Sequence, residues 1–351
     1  MAASTPFHPH VPHMQRGTLT RENLTFGWPH RVAAALLVLI GAAFVAVTLA
    51  ANLFRVGPAF DRLTNDFRPL MTQQSIQADR QGITSLSNAS TEIQTKMLPA
   101  LAGLLQMSPS QLSTMMGTQY PAVAKGLATV PQVTPTFSSL ITTLDQQRPY
   151  FKAADEIPTA SIPATSVPWS LFGVGLVAMG LGAIVWFRPR GAAIAVAVAG
   201  AALIAVPVAL NMPHKASYAD TLNSNLKPVY TQQMITEAQS SLTTLSAMGT
   251  QMQTKMLPAI ATRLHMSPAQ LNALFAQNFP ATSATLASMP TTMGRFQNLV
   301  STFNGRLADY NTMKPVSFAP IVWFMIGGGA ALFLLGGAGV AITWRRAAQA
   351  S

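Results

Sequence analysis

Cysteine is absent from this chain. That excludes disulfides, thiolate nucleophiles and cysteine-ligated metals, so any part outside a membrane is held by packing and hydrogen bonds. Charge is scarce as well. Asp, Glu, Lys and Arg make up 9% of the 351 residues, against ~25% in an ordinary soluble domain. The few charges are segregated. Val32–Phe54, Trp169–Phe187, Ala192–Pro213 and Pro320–Trp344 contain no Asp, Glu, Lys, Arg or His. Each exceeds the ~18 apolar residues that read as a transmembrane helix. Proton relays, ion paths and coupled pumps place ionisable groups at membrane depth, so their absence from these windows argues against a secondary transporter. Also missing are the G-x-S-x-G, P-loop, H-E-x-x-H and dinucleotide fingerprints. None of the 11 acids pairs with a His or a second acid at a recognisable catalytic spacing. The expectation is therefore no enzyme, no cofactor and no metal site.

What is present fits a membrane protein. Trp28 precedes the first window, Trp169 and Trp323 open the second and fourth, and Trp186 and Trp344 close them. Tryptophan favours the headgroup layer, where its ring is partly buried and its N–H stays wet. Arg16, Arg21, Arg31, Arg188, Arg190, Arg345 and Arg346 concentrate in the short segments, which places those segments in the cytoplasm. The resulting plan is a cytoplasmic tail at 1–30, spans at 31–55, 167–187, 192–213 and 319–344, a cytoplasmic link at 188–191 and a tail at 345–351. Two extracytoplasmic domains lie at 56–166 and 214–318, and both termini are cytoplasmic. The first span reads as a retained signal anchor, because it is longer than a cleavable h-region and follows an Arg-bearing tail.

The chain also repeats itself. QTKMLPA at Gln94–Ala100 returns at Gln253–Ala259, and MSPSQL at Met107–Leu112 returns as MSPAQL at Met266–Leu271. From 94 to 253 the offset is 159, and the same offset maps Tyr120-Pro121 onto Phe279-Pro280 and Ala33–Phe54 onto Ala192–Pro213. One unit of span, outer domain and span has been copied in tandem. Both copies run the same way through the membrane, which implies an axis along the membrane normal.

Each outer domain should be helical. Ile76, Ile83, Leu86, Ile93, Met97, Leu101 and Leu104 form one buried stripe at helical spacing. Pro99 and Pro258 are expected to kink or end that helix. Ser108-Pro109-Ser110-Gln111 and Ser267-Pro268-Ala269-Gln270 read as capping boxes. Two further helices per copy should follow, the first stopping near Thr129 or Ser288 and the last running from about Thr134 to Tyr150, or Met293 to Tyr310. The fold class is an all-α membrane protein with four transmembrane helices and two tandemly duplicated helical bundles outside.

Small residues recur at four-residue spacing in the spans, at Ala42, Ala46 and Ala50, at Ala178 and Gly182, and at Ala197, Ala201 and Ala205. Such seams let helix backbones approach closely, either among the four spans or against a partner or second copy. Lys96 and Lys255 sit inside the identical heptapeptide. They read as charges on the wet face of a helix end, with contact to a partner as the sharper alternative. The His8, His10, His13 cluster reads as tail composition rather than a metal site. Met115, Met116, Met248, Met252 and Met256 read as core, with an adaptable lipid groove as the alternative. The net charge of +11 forms no basic stripe, so nucleic acid is not an expected partner. The lipid bilayer, other envelope membrane proteins or self-association are.

The heptapeptide, the following MSPxQL, the aromatic-Pro step and the stops Ala128-Thr129-Val130-Pro131 and Ala287-Ser288-Met289-Pro290 resemble those of uncharacterised multi-pass envelope proteins of actinobacteria. The resemblance covers both outer domains. It implies a bacterial plasma membrane and a lipid-rich envelope, and it carries no activity or functional residues. Three functions are compatible with the sequence. The first is a non-catalytic scaffold or accessory subunit of an envelope or lipid-transport assembly. The others are an extracytoplasmic sensor signalling through a partner, and a carrier of lipid or another hydrophobic ligand.

Overall fold

The computed structural model describes residues 28–157, 159, 162–187 and 189–350. It is almost entirely helical, with no strand among the described residues. The first half runs α1 (Trp28–Ala50), α2 (Leu53–Phe67), α3 (Gln73–Glu92), α4 (Leu98–Leu104), α5 (Pro109–Gln119), α6 (Pro121–Asp155) and α7 (Ser166–Phe187). The second runs α8 (Pro189–Ala209), α9 (Met212–Leu226), α10 (Gln232–Gln251), α11 (Leu257–Arg263), α12 (Pro268–Asn278), α13 (Pro280–Met313) and α14 (Phe318–Ala350). From α2 to α5 every boundary returns at offset 159 in α9 to α12.

The repeated boundaries have repeated causes. Asn52 and Asn211 adopt left-handed backbone at φ 52° and 53° and turn the chain between α1 and α2 and between α8 and α9. Asparagine tolerates that conformation better than other residues with a side chain beyond Gly. Thr72 and Thr231 cap α3 and α10 by accepting the N–H of Ser75 and Met234. At the ends of α4 and α11, Gln106 and His265 take φ 51° and 54°. The next N–H groups, of Met107 and Met266, reach back to the carbonyls of Ala102 and Ala261 at 2.9 Å. This six-to-one closure satisfies carbonyls that a helix end would orphan. The two capping boxes form as expected, with Gln111 and Gln270 returning their side chains to the N–H of Ser108 and Ser267.

Two helix expectations need correction. Pro99 and Pro258 do not end their helices. Each follows a five-residue π-helical turn, Ile93–Met97 and Met252–Met256, and the helix then continues. A proline ring clashes with the carbonyl four residues back, and the wider turn supplies the room. The expected break near Thr129 and Ser288 is also absent. α6 runs 35 residues through Pro131, Pro135 and Pro149, and α13 runs 34 residues through Pro290. The first and decisive proline in each is accommodated by a side chain from elsewhere, described below.

Among the described residues, three helices are long and apolar enough to cross a membrane, within Arg31–Ala50, Ser166–Trp186 and Phe318–Ile342. A fourth is reached if α8 is counted with α9, which meet at a 57° bend. These helices carry nearly all the exposed large hydrophobic side chains; Leu104 and Ile162 are the exceptions among the described residues. That distribution suits a lipid solvent, since a water-facing surface of this kind would aggregate. Trp169 and Trp323 are exposed at the starts of α7 and α14, and Trp186 and Trp344 near their far ends, as aromatic belts require.

Packing follows an approximate twofold, because the helix pairs that join the halves occur reciprocally. α1 packs on α7 and α8 on α14. Between the spans the halves share partners: α13 lies on α2 and α3 as well as its own α10, and α6 lies on α9 and α10 as well as its own α3. The two interspan segments therefore do not enclose separate cores. One hydrophobic cluster takes in Phe60, Met97 and Phe137 from the first half and Met256, Phe296 and Phe303 from the second. Phe137 and Phe296, equivalent at offset 159, meet each other with ring centroids 5.4 Å apart. The expectation of two independent bundles, 56–166 and 214–318, gives way to one intertwined bundle. The physical reason is that the apolar stripe of each half is covered by both long helices, its own and the other half's.

Candidate functional site

Within each span pair the closest approach is backbone to backbone. A Cβ placed on Gly41 would lie 2.5 Å from the carbonyl oxygen of Gly175. The equivalent Gly200 would meet the carbonyl of Gly329 at 2.7 Å. About two turns further along, Gly182 faces the carbonyl of Ala34 and Gly336 that of Ala193. Only Gly permits these contacts, which are the small-residue crossings that membrane helices use in place of a hydrophobic drive.

The expected seams fall on different faces. Gly182 and Ala197 lie in the crossings, Ala197 against Gly336. Ala178 is buried, 3% exposed, beside the cavity between α7 and α8. Ala42, Ala46, Ala50 and Ala205 are exposed, and Ala201 is half-buried. The α1 seam is thus misplaced by one residue: the buried line is Ala34, Leu37, Gly41, Phe44 and Thr48. A one-residue shift turns a helix by 100°, which is enough to move a face from inside to outside.

The junction between halves is built from polar side chains that act on the other half's backbone. Glu92, at the end of α3, accepts the N–H of Thr282 at 2.7 Å and its hydroxyl at 2.9 Å. It thereby caps α13. Its equivalent Gln251 accepts the N–H groups of Ala122 and Val123 at 2.8 and 3.0 Å and caps α6. Pro121 and Pro280 occupy N1 of these helices, where their missing N–H is harmless, so the caps address the next orphan donors. Gln94 and Gln253, the first residues of the repeated heptapeptide, serve the same helices further along. Their side-chain amides donate to the carbonyls of Leu127 at 3.5 Å and Leu286 at 3.1 Å. Those carbonyls stand four residues before Pro131 and Pro290 and lose their ordinary partner to the prolines. Met97 and Met256 of the heptapeptide are in the core, at 0% and 2% exposure. Lys96 and Lys255 are exposed and form no ion pair among the described residues.

Every described carboxylate is engaged. Asp61 accepts the N–H groups of Ala164 and Thr165 and the Thr165 hydroxyl at the start of α7. Asp220 does the same for Phe318 and Ala319 at the start of α14. Both positions favour a negative charge at a helix N-terminus. Arg62 grips Asp309 and Arg306 grips Asp66, each at 2.6 Å and each between halves. The equivalents of Arg306 and Asp66 are Gln147 and Asn225, which form a neutral 3.0 Å hydrogen bond in the same place. Arg295 reaches Asp79 at 2.9 Å. Arg80 holds Asp145, Arg68 holds Asp155, Lys215 holds Glu156, and Gln233 donates to Glu237. The Arg62 hydrogen bond, aided by Arg306, holds Asp309 below the usual carboxylate range. Burial pushes Asp79 upward, against the pull of Arg295. Burial also raises the phenols of Tyr230 and Tyr310, the latter to about 12. They stack at 4.4 Å between ring centroids and donate to the carbonyls of Phe303 and Asn223. No group of three or more His, Cys, Asp or Glu among the described residues could hold a metal ion. The His8, His10, His13 cluster and the tail to residue 27 lie outside the described residues.

Two apolar spaces lie beside the long apolar helices. A small one of about 60 Å³ sits where the spans meet the interspan bundle, lined by equivalent pairs such as Leu53 with Met212 and Gly57 with Ala216. A larger one of about 500 Å³ lies between α7 and α8. No family model, curated protein or solved structure matches this chain.

Proposed function

We propose that this chain is a non-catalytic membrane scaffold or accessory subunit of a cell-envelope assembly, in a bacterial plasma membrane. The carrying observation is the commitment of the described carboxylates to helix caps and ion pairs. A general acid or base must have a free face toward a substrate, and here the acids face backbone N–H groups and arginines, apart from Glu156 on Lys215 and Glu237 on the Gln233 amide. The interleaved core and reciprocal caps favour a stiff body, which suits a protein that positions others. Both termini lie in the cytoplasm on this reading and the interspan bundle lies outside. The arginine distribution supports this, as does Arg31, whose guanidinium sits 5.6 Å over the ring of Trp186 at the same end of the span layer. The contact surface on this reading is the exposed Ala42, Ala46, Ala50 face of α1, where a partner helix could approach closely.

Because the chain has no cysteine, single introduced thiols test the topology. An impermeant thiol reagent applied to intact cells should label a cysteine at exposed Ser138 and leave one at Ser4 unlabelled. Labelling at Ser4 without labelling at Ser138 overturns the orientation.

A further inference from the structure

The approximate twofold makes the α1–α14 face and the α7–α8 face equivalents, yet they are filled differently. On the first, Phe44 is 1% exposed. Its ring rests on Gly328 and meets Phe324 edge-on, with centroids 4.9 Å apart. On the second, offset 159 puts Leu203 in place of Phe44. The second spans correspond at offset 154, as Trp169 with Trp323 and Gly175 with Gly329 show, so Ser170 replaces Phe324 and Val174 replaces Gly328. Two rings are gone, and a valine in place of a glycine restores only part of their volume. Leu203, Ser170 and Val174 all line the cavity of about 500 Å³ between α7 and α8.

The shape and chemistry of this cavity restrict its occupant. Its lining is apolar apart from Ser170, and that hydroxyl is already bonded to the Val167 carbonyl at 2.8 Å. Water and polar ligands therefore find no partners. A helix 10–12 Å across would displace more than twice this volume over the same length. From Ser170 to Leu181 the lining follows α7 for roughly 16 Å at 1.5 Å per residue. That is about half of a ~30 Å hydrocarbon layer, on the side where α7 begins and the interspan bundle sits. Val177 and Val206 on the rim are exposed, at 56% and 53%, so entry is lateral, from the surface that faces lipid.

We propose that the α7–α8 cavity is a lipid site that holds one acyl chain of a phospholipid from the bundle-side leaflet. The proposal rests on the reading that the apolar helices cross a bilayer. Its occupant is recognised by length and hydrocarbon chemistry, and the headgroup stays in the interface.

The test uses the full chain in nanodiscs that contain a phospholipid with a photoactivatable diazirine on its acyl chain. After irradiation, adducts are mapped by peptide mass spectrometry. Adducts are expected to be enriched on the cavity lining of α7 and α8 over the exposed faces of α1 and α14. Ser170→Phe with Leu203→Phe, which installs the aromatics of the filled face, should reduce that enrichment to the background of the exposed faces. Phe44→Leu with Phe324→Ser should create new enrichment on α1 and α14, and this arm decides the matter if the first variant does not fold. Uniform adducts along all spans, protection of the lining by a protein segment, or enrichment unchanged in both variants would overturn the proposal. Absence of adducts from every span would instead refute the membrane-crossing reading on which it rests.

Discussion

Replacing Glu92 with Ala probes the junction between the halves at its most buried point. Thr282 is 1% exposed, and the substitution strips its N–H and its hydroxyl of their shared acceptor. A buried donor left unpaired costs about 1–3 kcal/mol, and hydrogen bonds to a charged partner lie at the upper end. The lost cap and its charge at the N-terminus of α13 belong to the same interaction and are not added again. The total is about 2–4 kcal/mol. A domain of this size shifts its midpoint by ~2–4 °C per kcal/mol, so Tm should fall by roughly 5–15 °C in detergent. Gln251→Ala removes the equivalent cap from Ala122 and Val123, where the acceptor is neutral and the site only partly buried. It should cost about 1–2 kcal/mol. Glu92→Gln keeps an acceptor and should fall between wild type and Glu92→Ala. The assay is thermal unfolding followed by far-ultraviolet circular dichroism. A Glu92→Ala cost below ~0.5 kcal/mol, the range of ordinary surface substitutions, or a cost below that of Gln251→Ala, would refute the idea that these caps join the halves.

Gln253→Leu should destabilise by about 0.5–1 kcal/mol by removing the side-chain donor from the Leu286 carbonyl at an exposed site that water can reach. The same change should cost almost nothing in a Pro290→Ala background, and a double-mutant cycle with no coupling would contradict the role assigned to Gln253. Gly41→Leu should separate α1 from α7, because its Cβ already lies 2.5 Å from a backbone oxygen; cross-linking between cysteines placed on α1 and α7 reports the loss. For pH, Asp309 has a depressed folded pKa, so its stabilisation is present above the ordinary carboxylate pKa near 4 and is lost as pH falls through the folded value. Tyr310 has a raised one, so stability should decline as pH climbs from about 10 to about 12, and Tyr310→Phe should flatten that alkaline limb.

Spans, capping boxes and the duplication were legible because each is local: a window free of charge, a Ser-Pro-x-Gln tetrad, a fixed offset. Partner sharing was not. A tandem copy gives every stripe two similar long helices to pack against, and periodicity does not reveal that α3 and α10 each pack on both. The unbroken course of α6 and α13 was hidden for a related reason, since the carbonyls that Pro131 and Pro290 deprive of a partner are served by glutamines 33 residues away in sequence. The α1 seam was misread because alanine is common enough there to draw more than one stripe. Gly41, matched by Gly200 and opposed by Gly175 and Gly329, was the better signal and stood in the sequence. The departure from symmetry at Phe44 and Leu203 required the second-span offset of 154, which differs from 159 because the stretch from Pro280 to Trp323 is five residues shorter than that from Pro121 to Trp169.

The scaffold account is tested most directly by complementation of a deletion strain, with the size of the detergent-solubilised assembly measured in parallel. Wild-type protein should run in a complex larger than the 37.2 kDa chain. Ala42→Leu with Ala46→Leu, on the exposed face of α1, should lose both that complex and function while remaining in the membrane. Glu237→Gln and Asp145→Asn should retain both. A wild-type chain that functions as a lone monomer, or a single carboxylate substitution that abolishes function at unchanged abundance and assembly, would contradict the account.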